Sequence, residues 1–286
     1  MATRLEELDL ASHCAKAQEV AREAGKLIMN GFNSSQAQQQ ANMEFKGDEG
    51  LMVDIVTETD KLVEAYIKQQ LGSAYPGYAF LGEEEASDAE NGERLGTETT
   101  WVVDPIDGTT NFVHRVAMFS VSIALAVDRK AVLGVVYNPL TQDMHHACRG
   151  GGAFLNGEAI HVSKKQSLRE AIVQTNVGYD RSPEGVAHMM DNITTLLQNN
   201  IRGIRMNGSA ALEMCNVACG RMDAFYEFGI HSWDIAAGCC IVEEAGGLAV
   251  DIDGSDLDLV VRRVLCGNKA IVKELSGLIK FKPASA

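Results

Sequence analysis

No stretch of this 286-residue chain approaches the roughly 18 consecutive apolar residues that a membrane-spanning helix needs. Its start, MATRLEELDLASHC, lacks the basic patch and continuous apolar run of a secretory leader. Its last residues, KPASA, match no anchor or retention signal. The cytoplasm is therefore the expected compartment, with no membrane partner. Cysteine is sparse and unclustered: seven residues, at 14, 148, 215, 219, 239, 240 and 266, none in a C-x-x-C pair. Most sit in apolar patterns, which predicts reduced core thiols rather than a zinc cluster or a catalytic thiol. Positive charge is in deficit. Twenty-five Lys and Arg against 39 Asp and Glu leave a net charge of −14, and nucleic-acid binding rests on basic patches, so nucleic acid is not an expected partner. An anionic substrate stays open, because bound divalent cations reverse the local field.

Internal repeats and Pro- or Gly-rich linkers after residue 50 are also missing. What is present is ordinary for a globular protein: 46% hydrophobic and 22% charged residues. The length suits one domain, 1–286, built as two lobes of about 1–150 and 151–286. Apolar spacing predicts a helix over 5–32, then a glutamine-rich, mobile connector over 33–50. Thr59 or Asp60 is the expected cap of a following helix, and ASDAENGERLGTET reads as a solvated loop. SVSIALAVDRKAVLGVVYNPL predicts a hairpin around DRK, with His145 and His146 on a later hairpin facing solvent. RGGGAF lacks the lysine and helix of a phosphate-binding P-loop and reads as tight turns. Helices and strands alternate to the end, which gives a mixed α/β fold.

The chemistry concentrates in acidic residues. WVVDPIDGTTNFVH sets Asp104 and Asp107 three positions apart at the end of an apolar run. Pro105 lacks an amide hydrogen, so the strand is expected to turn there. Two carboxylates held close resist ionisation unless a cation lies between them, and such oxygen ligands suit magnesium, calcium or manganese. Two aspartates that merely cap a helix in a turn are the alternative on spacing alone. Asp60 in TETD, Glu83 in GEEE and Asp234 in SWDIAAG stand at similar strand-to-helix junctions, where α/β proteins gather their sites. The D-x-D-G-T motif of haloacid-dehalogenase phosphatases has one residue fewer between its aspartates, and that reading fails here.

The combination D-P-I-D-G-T-x-N-F, G-E-E and W-D-x-A-A-G resembles the inositol monophosphatase family of metal-dependent, lithium-sensitive phosphatases. The resemblance runs from DIVTETD to the closing helix, and DAFYEFGIHSWDIAAG looks like true inositol monophosphatases rather than the nucleotide- or fructose-bisphosphate branches. It implies a five-layered αβαβα sandwich, a homodimer, and two to three Mg²⁺ per subunit, with Mn²⁺ as a substitute and Li⁺ and Ca²⁺ as inhibitors. By resemblance, Glu83, Asp104 and the Ile106 carbonyl hold one ion, and Asp104, Asp107 and Asp234 hold another. Thr109 and Asp60 orient and help deprotonate the attacking water, with Glu83 beside a third, weaker ion. The amides of Gly108 and Thr109 face the phosphate. Gly208, Ser209 and Ala210, together with Asp107, Glu227 and Asp234, meet the substrate, with Glu227 bonding inositol hydroxyls. Ser209 stands where threonine is usual, and the loop around Lys46 is longer than typical. The implied reaction is hydrolysis of myo-inositol monophosphate by direct attack of water. The alternatives are a broader sugar-phosphate phosphatase, acting on galactose phosphate, histidinol phosphate or fructose bisphosphate, and a non-catalytic metal-binding scaffold of the same fold.

Overall fold

A computed structural model describes residues 8–34, 43–45, 55–88 and 93–281. Helix α1 (Leu10–Phe32) buries Ala17, Val20, Ala21, Ala24 and Ile28, a helical stripe facing the core. It starts later than its spacing predicts, because the Asp9 carboxylate accepts the Ser12 amide and caps the first turn. Most of the glutamine-rich connector, and Lys46 with it, lies outside the described residues. The short strands β1 (Met43–Phe45) and β2 (Ile55–Thr57) pair antiparallel. Helix α2 (Glu58–Ala74) is capped by Thr57 rather than by Thr59 or Asp60. Asp60 is the third helical residue, and its carboxylate reaches back to accept the Thr57 amide at 2.9 Å, completing a capping box.

Strand β3 (Ala79–Gly82) runs into helix α3 (Glu83–Asp88), and β4 (Thr100–Asp107) into helix α4 (Thr109–His114). The expected hairpin is β5 (Ser120–Val127) and β6 (Lys130–Asn138). Asp128 and Arg129 form its two-residue turn at φ of 49° and 62°, matching the twist of the strands. Strands β7 (Asp143–Cys148), β8 (Gly152–Leu155) and β9 (Glu158–Ala159) complete a seven-stranded sheet in the order β3 to β9. Only β3 and β4 pair in parallel. Pro105 does not end its strand as expected. The register slips between Asp104, opposite Ser122, and Asp107, opposite Ser120, so β4 passes the proline through a bulge.

The second half supplies β10 (Ile172–Gln174), α5 (Pro183–Gln198), β11 (Gly203–Arg205), α6 (Ala210–Ala218) and β12 (Ala224–Phe228). It continues with α7 (Ser232–Glu244), β13 (Leu248–Val250), β14 (Arg263–Gly267) and α8 (Lys269–Leu275). The five strands form a second, mixed sheet in the order β11-β10-β12-β14-β13.

Three buried clusters stack these elements into five layers. Ile28 of α1 and Ile67 of α2 pack on Val103, Ile123 and Leu133 of the larger sheet. On the other face of that sheet, Met214 of α6 and Ile235 of α7 sit between Ala124 and Val136 of the larger sheet and Phe225 and Val264 of the smaller. Leu196 of α5 and Ile271 of α8 cover the outer face of the smaller sheet. The middle cluster draws residues from both sides of position 150. Gly134 allows the close approach there, since a Cβ on it would collide with the Ala237 carbonyl of α7.

Two sequence expectations about β7 and the loop after it meet different fates. His145 and His146 do not face solvent: His145 is buried, and His146 stacks on Phe154 with its Nδ1 3.7 Å from the Cys14 sulfur. Both lie mid-sheet under covering helices, a placement that hairpin patterning cannot register. The glycines of RGGGAF do form turns, and the Gly150 and Gly152 amides donate to the Glu244 carboxylate at 2.9 and 2.8 Å. All seven cysteines are free, five of them buried.

Candidate metal centre and active site

Three chain segments bring four carboxylates to one place. Glu83 opens α3 directly after β3. The β4 bulge turns Asp104 and Asp107 to the same side, and Gly108 follows at a φ of 90°, where a Cβ would lie 2.8 Å from the Met118 carbonyl. Asp234 arrives from the first turn of α7. Carboxylate oxygens of Asp104, Asp107 and Asp234 all lie within 4.8 Å of one another. They line a cleft of about 500 Å³, together with Glu83, Ile106 and Thr109.

Each of the three aspartates is held from behind. Asp104 accepts the Ile106 amide at 2.9 Å, and Asp234 accepts the His231 amide at 2.7 Å. Asp107 accepts the Ala210 and Ala211 amides at 3.0 and 3.1 Å, and also the Ser209 hydroxyl. It thereby serves the free amides at the start of α6. Burial, then repulsion from Glu83 and the neighbouring aspartates, pushes Asp104 and Asp234 well above the ordinary carboxylate range. Burial lifts Asp107 to about 6 against the pull of its hydrogen bonds.

These residues fit a hard divalent cation. The donors are clustered oxygens, buried at Asp104 and Asp107 and half-buried at Asp234, and the ionised cluster carries a repulsion that a cation removes. Cysteine does not line the cleft, and His114 is its one imidazole among the described residues.

The remaining predicted residues divide into two groups. Gly108, Thr109, Gly208, Ala210 and Glu227 line the cleft. Asp60 and Ser209 are buried behind it. The Thr109 hydroxyl lies 3.3 Å from Asp60 Oδ1 and 3.0 Å from the Ile106 carbonyl, which links Asp60 to the cleft. Ser209 points at Asp107 instead of the open space.

The loop read as solvated is not wholly so. Leu95 is buried, and the Glu93 carboxylate accepts the Ser232 amide at 2.9 Å and pairs with His231 Nδ1 at 2.8 Å. His231 stacks flat on Trp233, so Glu93 and the imidazole together brace the start of α7. Sequence reasoning also missed Asn176 and Glu213, which join Glu227 in one network at the cleft wall. Glu213 left a signal, as a charged residue inside the apolar helix SAALEMCNVAC.

The profile described as the inositol monophosphatase family matches residues 9–280. An inositol monophosphatase of Dictyostelium discoideum is 46% identical over 98% of this chain and 100% of its own length. Inositol monophosphatase 1 of Homo sapiens is 40% identical over 89% of each chain. Among solved structures, the extragenic suppressor protein suhB of Bartonella henselae superposes with a TM-score of 0.82 at 32% identity, covering 94% of this chain and 98% of that one.

The chain belongs to the inositol monophosphatase family. The five layers implied by its motifs are the layers of its structure. In this family member the carboxylate cluster sits where the two long motifs, DPIDGTTNF and WDIAAG, meet. Among the described residues, no helix is long and apolar enough to cross a membrane.

Proposed function

We propose that this inositol monophosphatase family member is a Mg²⁺-dependent phosphoric monoester hydrolase that releases phosphate from myo-inositol monophosphate. The observation that carries the reading is the Asp104–Asp107–Asp234 cluster, two of its carboxylates buried and the third half-buried, opening on a cleft that also holds Glu227. Asp104, Asp107 and Asp234, with Glu83 and the Ile106 carbonyl, would hold two to three ions. Bound there, Mg²⁺ supplies charge stabilisation for the phosphoryl group and its leaving oxygen, and makes the attacking water more acidic.

The protein's own groups do the positioning. Thr109 Oγ1 can accept a hydrogen bond from a water in the cleft while donating its own hydrogen to Asp60 Oδ1, 3.3 Å away, so that a proton taken from the water is balanced by one passed to Asp60. Asp60 Oδ2 is already bonded by the Thr57 amide and hydroxyl, so its carboxylate cannot swing from that line. Gly108, at the start of α4, brings its backbone and the Thr109 amide to the cleft wall for the phosphate oxygens. On family resemblance, the enzyme is a cytoplasmic homodimer. The middle buried cluster supports one domain spanning both lobes.

Glu227 would select the alcohol. Its carboxylate is nearly buried in the cleft wall, where it can accept hydrogen bonds from ring hydroxyls. Glu227→Gln keeps the size and replaces one acceptor by a donor, so kcat/KM for inositol monophosphate should fall by roughly 1–3 kcal/mol of transition-state binding. An aryl phosphate, with no ring hydroxyls, should lose much less. Equal losses on both substrates would reject Glu227 as the reader of the ring. The reaction itself is tested by kcat/KM across inositol, galactose, histidinol, fructose and nucleotide phosphates. Inositol monophosphate should rank first, and a preference for any other phosphate would reject the assignment.

A further inference from the structure

Glu213 lies on α6, is fully buried, and does not line the cleft. The described polar contacts of its carboxylate are all donors. The Asn207 amide reaches Oε1 at 2.9 Å, Gln174 Nε2 reaches the same oxygen at 3.4 Å, and Asn176 Nδ2 reaches Oε2 at 2.6 Å. The arrangement is built for an acceptor. Two of these donors converge on Oε1, so a hydrogen on that oxygen would displace one of them.

Asn176, which does line the cleft, is held at three points. Its Nδ2 donates to Glu213 at 2.6 Å and to Glu227 Oε2 at 2.9 Å, and its Oδ1 accepts the Gly208 amide at 3.0 Å. The amide therefore has one possible orientation. Two carboxylates demand its NH₂ on one side, and a backbone N–H demands its oxygen on the other. One amide thus couples a carboxylate behind the wall to one inside the cleft.

Two carboxylates sharing one donor are costly in a buried place. Burial pushes both Glu213 and Glu227 up to about 8. Glu213 also sits in the first turn of α6, where the helix amides favour a negative charge. Glu213 makes no contact with the Asp104–Asp107–Asp234 cluster in any described hydrogen bond, so the chemistry proposed above leaves it without a task.

We propose that Glu213 and Asn176 are specificity-determining positioning residues, with Glu213 fixing the Asn176 amide so that Glu227 is presented as a rigid acceptor to the hydroxyls of a polyol phosphate. The inference rests on Glu227 reading the alcohol, and it deepens that assignment. A residue at 213 that offers a donor turns the Asn176 amide around or breaks its bond. Turning the amide removes the donor that anchors Glu227 and places an N–H against the Gly208 amide, and breaking the bond leaves the amide free to move together with Glu227. Glu227 then becomes a mobile acceptor and loses discrimination for the ring, although nothing touching the substrate has been replaced.

The test uses Glu213→Gln in the full chain with Mg²⁺, assayed on myo-inositol monophosphate and p-nitrophenyl phosphate. The ratio of the two kcat/KM values should fall at least fivefold relative to wild type, chiefly through a higher KM for the inositol ester. Asn176→Ser removes the bridging amide directly. It should shift the ratio in the same direction, and it decides the matter if Glu213→Gln does not fold. In a Glu227→Gln background, Glu213→Gln should change the ratio by less than twofold, because its only route to the substrate is gone. An unchanged ratio in both single variants, or equal losses on the two esters, would overturn the inference while leaving the phosphatase assignment standing. Full additivity with Glu227→Gln would do the same. A wild-type enzyme that cleaves the aryl ester but not the inositol ester would overturn both.

Discussion

Asp104→Asn is expected to lower kcat on the order of a thousandfold while the protein stays folded. Asp104 stands at the centre of the carboxylate cluster and faces repulsion from Glu83, Asp107 and Asp234 together. If cations bind on both sides of it, removing its charge weakens each ion and the charge stabilisation it supplies. Several kcal/mol of such stabilisation convert to rate at about 1.4 kcal/mol per tenfold. The fold should not suffer, because asparagine keeps the oxygen that accepts the Ile106 amide at 2.9 Å. In the absence of metal the variant should even melt slightly higher than wild type, since it removes a buried carboxyl whose ionisation burial and its acidic neighbours oppose. Turnover at saturating Mg²⁺ together with melts in a chelator gives both readings. Near-normal turnover would exclude Asp104 as a shared ligand. A collapsed melt would make it a structural residue instead.

The wild-type protein should melt at a substantially higher temperature with Mg²⁺ than with a chelator. Buried, mutually repelling carboxylates destabilise the metal-free fold, and an ion bound only by the native state stabilises it by mass action. At a hundredfold excess over Kd the gain is about 2.7 kcal/mol per site. In a chain of this size one kcal/mol moves the midpoint by roughly 2–4 °C, so a shift of at least about 5 °C is expected. Asp104→Asn should lose most of that shift, which ties the effect to this cluster rather than to the overall charge of −14. Identical midpoints with Mg²⁺ and chelator would contradict a preformed metal site.

The carboxylate cluster was legible in the sequence because its members sit in contiguous motifs at strand-to-helix junctions. D-P-I-D-G-T and W-D-x-A-A-G each carry a turn, a cap and a member of the cluster within a few residues, so local pattern and tertiary position coincide. The order of strands and helices was legible for the same reason. What escaped depends on packing between distant segments. Pro105 marks a strand end by backbone chemistry alone, yet pairing with β5 resumes beyond it through a bulge. His145 and His146 look exposed on a hairpin, and only the helices covering β7 bury His145 and half-bury His146. Glu93 sits in a polar run whose composition says solvent, and its partners are about 138 positions away. Asn176 and Glu213 are separated by 37 positions and meet through three-dimensional contact, so no local motif joins them.

The most direct test of the account is phosphate release from myo-inositol monophosphate by protein first stripped with a chelator, then titrated with Mg²⁺. Turnover should be absent in the chelator, rise with Mg²⁺ to saturation in wild type, and remain near the chelator baseline in Asp104→Asn. Full turnover in the chelator, or the same Mg²⁺ response in both proteins, would contradict catalysis at the Asp104–Asp107–Asp234 cluster.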